Sequence, residues 1–142
     1  MPVIKCSNGK YRIGSGACIY ESEDKATKVW QAILASGKYS ADPNKISYDY
    51  DDTLTKERYY VQAKKDVNIG KNVYIVTKRS RSQEVIDMAK KLGISESKVI
   101  FTNGFMKWSA INHYGIGTHY DNNAREIELI NEKTDAKGIK II

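Results

Sequence analysis

The sequence predicts an α/β protein, a parallel sheet with helices on both faces and a small appendage at the N-terminus. Three observations predict it. From residue 45 onward, short β-rich runs alternate with amphipathic stretches, the pattern that a parallel sheet with crossover helices leaves in a sequence. Glycine follows the last turn of two of those stretches, at Asn68-Ile69-Gly70 and Leu92-Gly93, where helices commonly stop. A chain of 142 residues, 41% hydrophobic and 28% charged, holds one such domain with an addition and not two full domains.

Residues 1–40 read as a separate ββα module. Strands are expected around Lys10-Tyr11-Arg12-Ile13 and Ala17-Cys18-Ile19-Tyr20, joined by Gly14-Ser15-Gly16. The helix that follows starts at Ser22, a hydroxyl suited to capping, and Ala26, Val29, Trp30, Ile33 and Leu34 fall on one of its faces. It ends near Gly37, and residues 36–44, with Gly, Ser, Asp and Pro, form the linker. Cys6 and Cys18 lack metal-ligand spacing. In a reducing compartment they read as two small thiols; in an oxidising one their place on adjacent hairpin strands permits a disulfide.

Residues 45–142 form the second expected domain. Strands are predicted at 45–49, 72–76, 98–101, 116–120 and 138–142, and helices at 56–68, 82–92, 107–113 and 123–132. In open parallel sheets the ligand crevice lies at the carboxyl ends of the strands, where Asp49, Thr77 and Asp121 all fall. The net charge of +6 favours acidic partners, phosphates above all. No stretch approaches the ~20 apolar residues of a membrane span, and the N-terminus lacks the apolar run of a secretory signal, so a cytoplasmic protein without membrane contact is expected.

The richest segment is Ile46-Ser47-Tyr48-Asp49-Tyr50-Asp51-Asp52-Thr53. Residues i and i+2 of an extended run share a side, so Asp49 and Asp51 can face one substrate. This strand followed by D-x-D-x-T resembles the first motif of the haloacid dehalogenase (HAD) superfamily, and three further segments follow in the family's order. Asn72-Val73-Tyr74-Ile75-Val76-Thr77 resembles the second motif, Lys107 at a helix start the third, and Gly117-Thr118-His119-Tyr120-Asp121-Asn122-Asn123 the fourth.

The resemblance implies a three-layer, Rossmann-like sheet and a Mg²⁺-dependent phosphohydrolase. Asp49 would form an aspartyl-phosphate, Asp51 would handle the protons, and Thr77 and Lys107 would hold the phosphoryl oxygens. The metal set it implies is Asp49, Asp51, Asp121 and Asn122. Two departures stand out: Asn122 and Asn123 follow Asp121 where many relatives have a second acid, with Glu126 further on, and a charged run, Lys78-Arg79-Ser80-Arg81, follows Thr77. His119 reads as a satisfied polar side chain, Trp30 as core and Trp108 as packing beside Lys107.

Asp49 and Thr77 lie 28 positions apart and Thr77 and Lys107 lie 30, so neither interval has room for a cap domain. An open, basic protein of this kind fits a nucleotide or a polynucleotide phosphate end. Two alternatives stay open: a small-metabolite phosphatase, and a non-catalytic phosphate- or nucleic-acid-binding accessory protein. Cys6-Ser7-Asn8-Gly9-Lys10-Tyr11-Arg12-Ile13-Gly14 resembles short hairpins appended to bacteriophage proteins, which suggests a phage origin.

Overall fold

The computed structural model describes residues 3–13, 16–35 and 40–142. Its centre is a five-stranded parallel sheet made of β3 (Asp42–Tyr48), β4 (Asn72–Thr77), β5 (Val99–Phe101), β6 (Ile116–Asp121) and β7 (Lys137–Lys140). The strand order is β5-β4-β3-β6-β7, which puts β3 in the middle. Helices α2 (Glu57–Asn68), α3 (Gln83–Leu92), α4 (Trp108–His113) and α5 (Ala124–Lys133) connect the strands, and each expected element of the body is found within a few residues of its expected ends.

Alternation along the strands explains the layering. Successive side chains of a strand point to opposite faces. Val73 and Ile75 of β4, with Val99 and Phe101 of β5, enter a core built with Ala63 of α2 and Val85, Ile86, Ala89 and Leu92 of α3. Their neighbours Val76 and Ile100 enter a second core with Ala110 and Ile111 of α4 and Ile130 of α5. Helices therefore flank both faces of the sheet, as the fold class requires. Trp30 and Trp108 pack against the second core.

The helix stops expected at Gly70 and Gly93 are present. Gly93 adopts φ +84°, and the amides of Gly93 and Ile94 return to Ala89 O and Lys90 O, satisfying carbonyls the ended helix leaves open. Between Asp42 and Ile46 the β3–β6 register shifts by a bulge. Pro43 sits in that bulge, where no ladder amide is needed.

The N-terminal module pairs differently from expectation. β2 (Tyr11–Ile13) runs antiparallel to β1 (Val3–Lys5), not to residues 17–20, of which only Tyr20 bridges Tyr11. The turn is Ser7-Asn8-Gly9, with Gly9 at φ +83° and Asn8 Oδ1 accepting the Lys10 amide at 3.0 Å. Gly9 N returns to Cys6 O at 3.1 Å, so a turn over Ser7-Asn8 is followed by Gly9 in the left-handed region, a three-residue hairpin loop that needs glycine at its end. Gly14 and Ser15 of the expected turn lie outside the described residues. Cys6 and Cys18 form a disulfide with Cα atoms 6.2 Å apart, so they are not two free thiols.

Helix α1 (Glu23–Ala35) follows, its start capped by Ser22 Oγ, which accepts from Lys25 N at 3.1 Å. Ala26 is buried and Val29 exposed; the side chains of Ile33 and Leu34, and residues 36–39 of the expected linker with its Gly37, lie outside the description. Residues 42–44 of that linker belong to β3. No helix among the described residues is long and apolar enough to cross a membrane.

Candidate functional site

Register brings the site together. Tyr48 of β3 lies opposite Tyr120 of β6, so the residues that follow them, Asp49 and Asp121, leave adjacent strands side by side. The Asp49 amide donates to Tyr120 O at 2.9 Å, which continues the ladder one step past β3. After Asp49 the chain turns through a wide loop, 50–54, with Asp52 in the left-handed region at φ +58°, and Leu54 N closes it on Asp49 O at 3.3 Å.

Lys107, the residue before α4, reaches between the two carboxylates. Its Nζ lies 2.8 Å from Asp49 Oδ1 and 2.6 Å from Asp121 Oδ2, and all three residues are buried. Glu126 of α5 fixes the lysine's backbone, its Oε1 accepting from Lys107 N at 3.0 Å. Glu126 Oε2 is buried and accepts no hydrogen bond; Lys78 Nζ approaches it at 3.3 Å as an ion pair. Behind Asp121, His119 Nε2 lies 2.9 Å from Oδ2 and His119 Nδ1 lies 2.6 Å from Ser47 Oγ. A carboxylate can only accept, so Nε2 carries the proton and Nδ1 accepts from the Ser47 hydroxyl. His119 is thus the satisfied polar side chain the sequence suggested.

The remaining oxygens face Asn122. Its amide group lies 3.1 Å from Asp49 Oδ2 and 3.2 Å from Asp121 Oδ1. With its NH₂ turned that way it donates to both carboxylates; with its oxygen turned that way, three oxygens face one another and only a cation would hold them. Magnesium binds oxygen at 2.0–2.1 Å in an octahedron, so neighbouring ligand oxygens stand about 3.0 Å apart. The Asn122 group, a donor to both carboxylates, would turn its oxygen inward to serve on that edge. Among the described residues no three His, Cys, Asp or Glu side chains form a complete metal cage, and two carboxylates with one amide are what converge. This hard-oxygen set fits a magnesium ion that keeps several waters.

Burial and charge set the protonation. Burial, reinforced by the charge of Asp121 and opposed by Lys107, pushes the Asp49 carboxyl up to about 6. Burial also works against ionised Asp121, but the hydrogen bond from His119 and the Lys107 charge override it and hold Asp121 well below the usual carboxylate range. Burial alone would lower Lys107, and Asp49 and Asp121 outweigh it, so the lysine stays charged. His119 is pushed down by burial and is neutral. At neutral pH the centre therefore holds two carboxylates and one ammonium group.

Asp49, Asp51, Lys107, Asp121 and Asn122 share the walls of one cavity of about 200 Å³. Asp52, Asn123, Lys78 and Glu126 complete it, so five carboxylates stand against two lysines in a protein whose net charge is +6. Thr77 is buried at the end of β4, its hydroxyl accepting from Arg79 N at 3.3 Å, and the cavity wall next to it is Lys78. Asp51 is held from outside: Arg79 Nε and Nη2 grip its two oxygens at 3.0 and 2.7 Å, with the guanidinium over the Tyr50 ring. Asn123 caps α5, accepting from Arg125 N and Glu126 N.

Lys78, Arg79 and Glu126 are the residues a sequence reading gave no role. The unusual charge after Thr77 and the acid five positions past Asp121 were the available signals. No family model matches this chain, and neither a curated protein nor a solved structure matches it.

Proposed function

We propose that the protein is a Mg²⁺-dependent phosphohydrolase of the HAD type, with a Rossmann-like catalytic domain at 45–142 and an N-terminal module at 1–40. One observation carries the reading: Asp49 and Asp121 leave neighbouring strands, share Lys107 through one oxygen each, and turn their other oxygens to Asn122. Asp49, Asp121, Asn122 and a backbone carbonyl at Asp51 would hold the magnesium. Bound there, the ion would offset the charge between a phosphate and these carboxylates and polarise the phosphoryl oxygens.

The residues divide the remaining work. The Asp49 carboxylate attacks phosphorus, the ester P–O bond breaks, and Asp51 gives its proton to the leaving oxygen. In the second half, water attacks the aspartyl-phosphate, Asp51 takes the water proton, and the bond to Asp49 breaks to release phosphate. Lys107 keeps Asp49 ionised and in place, and Lys78 adds positive charge on the cavity wall. Thr77 would serve the phosphoryl group only through a shift of the 77–79 turn, since its hydroxyl now caps Arg79 N. A nucleotide or polynucleotide phosphate end is the proposed substrate and the cytoplasm the proposed compartment, one in which the Cys6–Cys18 bond would stand open to reduction.

A second reading, a non-catalytic phosphate- or nucleic-acid-binding protein, is favoured by one observation. Both oxygens of Asp51 are taken by Arg79, which a binder tolerates and an acid must undo. Phosphate release from a generic aryl phosphate separates the two. The enzyme reading expects Mg²⁺-dependent turnover that Asp49→Asn lowers by about a thousandfold or more. A binder shows no turnover and salt-dependent oligonucleotide binding.

A further inference from the structure

A second cavity is larger than the acidic one. A cleft of about 530 Å³ opens between Val3 and Glu23 of the N-terminal module and Arg81, Val99, Phe101 and Asn103 of the body. It adjoins a hollow of about 250 Å³ that shares Glu23 and Asn103 and adds Ser80 and Phe105. Lys78 lines the acidic cavity, Ser80 the hollow and Arg81 the cleft, so residues 78–81 form a rim common to all three.

The rim is tied down by the loop after β5. Gly104 N donates to Lys78 O at 2.7 Å and Asn103 N to Arg79 O at 3.4 Å, so Asn103, facing the cleft, is fixed against the residue that grips Asp51. Asn103 sits at φ +51° and Gly104 at φ +85°, a tight left-handed turn, and Asn103 lines both the cleft and the hollow. β5, β4 and β3 are consecutive strands, and two strand spacings amount to roughly 10 Å, the scale of one nucleotide unit.

We propose that this cleft receives the leaving group of the phosphomonoester and that the leaving group is a nucleoside. The inference rests on the phosphohydrolase reading for the identity of the chemistry, while the cleft itself is a separate place in the fold. Val3 gives an apolar wall for a flat ring, and the edge strand β5 forms the floor, where Val99 and Phe101, turned into the first core, leave only a small apolar remainder exposed. Asn103 and Glu23 supply an amide and an acceptor for the ring's polar edges, and Arg81, whose Nη1 pairs with Glu96 of the same cleft at 2.9 Å, keeps its other donors for the ligand. The volume is that of a small-molecule site, and a sugar or glycerol group would leave most of it unfilled. The module thus supplies a wall beside the edge strand β5, in a body whose intervals between Asp49, Thr77 and Lys107 leave no room for an inserted cap.

Two variants of the full chain test this. Ser97→Trp, at an exposed position of the short turn before β5, fills the cleft from its own wall. Asn103→Gly removes the amide and keeps the left-handed backbone. Binding of a nucleoside monophosphate is measured by calorimetry with Mg²⁺ in an Asp49→Asn background, so that nothing is consumed. Turnover of the same nucleotide and of 4-nitrophenyl phosphate is measured with Asp49 intact.

Both variants are expected to weaken nucleotide binding about tenfold and to lower the nucleotide-to-aryl ratio of kcat/KM by a similar factor. Undiminished binding and an unchanged ratio in both variants would overturn the cleft, as would no nucleotide binding at all. If nucleotide binds, Ser97→Trp weakens it and no phosphate is ever released, the cleft stands and the phosphohydrolase reading falls. If the aryl phosphate turns over and the variants leave the ratio alone, the reverse holds.

Discussion

Asp49 keeps its proton to a higher pH than an ordinary aspartate and loses it before neutrality. Its carboxyl sits at about 6 because burial outweighs the help of Lys107, whereas in the unfolded chain it titrates near 3.9. Between those values the folded state holds more protons than the unfolded one. The stabilisation from this group is therefore full below about pH 4 and lost as pH rises through about 6. The pair with Lys107 forms in the upper range, where both are charged. A divalent cation must displace the proton, so Mg²⁺ binding to the free protein should weaken about tenfold from pH 7 to pH 5, with one proton released per ion at the lower pH. Calorimetry in buffers of different ionisation heat measures both quantities, and an affinity flat across that interval would contradict the assignment. At this scale the sequence was legible where a strand, a turn and an acid stood in a fixed order, which is why Asp49, Lys107 and Asp121 meet in one place. It was illegible where partners lie far apart in the chain. The Arg79 grip on Asp51 joins positions 28 apart, and nothing local to either residue announces it.

Among the elements, β6 depends most on a single residue. Gly117 lies where the β3 bulge presses on β6, and a Cβ at that position would meet Asp42 O at 2.2 Å and Pro43 Cα at 3.0 Å, both backbone. No side-chain rotation relieves such a clash. Gly117→Ala should cost about 3 kcal/mol, read from the midpoint of urea unfolding with an unchanged slope. A loss under about 0.5 kcal/mol would show that the bulge yields. Because β6 delivers Asp121, the same variant should weaken the cation site as well. Helices and strands of the body were legible because their periods of 3.6 and 2 are carried by many residues at once. The N-terminal hairpin was misread because two glycine-containing turns compete within a dozen residues. The turn over Ser7-Asn8 wins since Gly9 follows it in the left-handed region, and since Cys6 at its start is then tied by the disulfide to the segment that bridges back to Tyr11. The bulge at 42–46 left no trace except Pro43, whose missing amide fits several kinds of irregular backbone.

At the scale of the whole molecule, the disulfide and the sheet stabilise different parts. Cys6 and Cys18 are 12 positions apart, a loop whose closure is worth about 3 kcal/mol to the unit that contains it. Reduction should therefore release amide protection in β1 and β2 while leaving β3 to β7 unchanged, as hydrogen exchange with and without reductant would show. Loss of protection throughout would mean that module and body unfold as one. The outer strands of the large sheet have a consequence of their own. β7 forms one border and shows Lys137 and Lys140 to solvent, four residues long with a positive group at each end. A second copy approaching edge-on would bring ammonium against ammonium before any ladder could form, so this border is a poor template for strand-by-strand growth. Crowded or overexpressed, the protein should stay dispersed along that side.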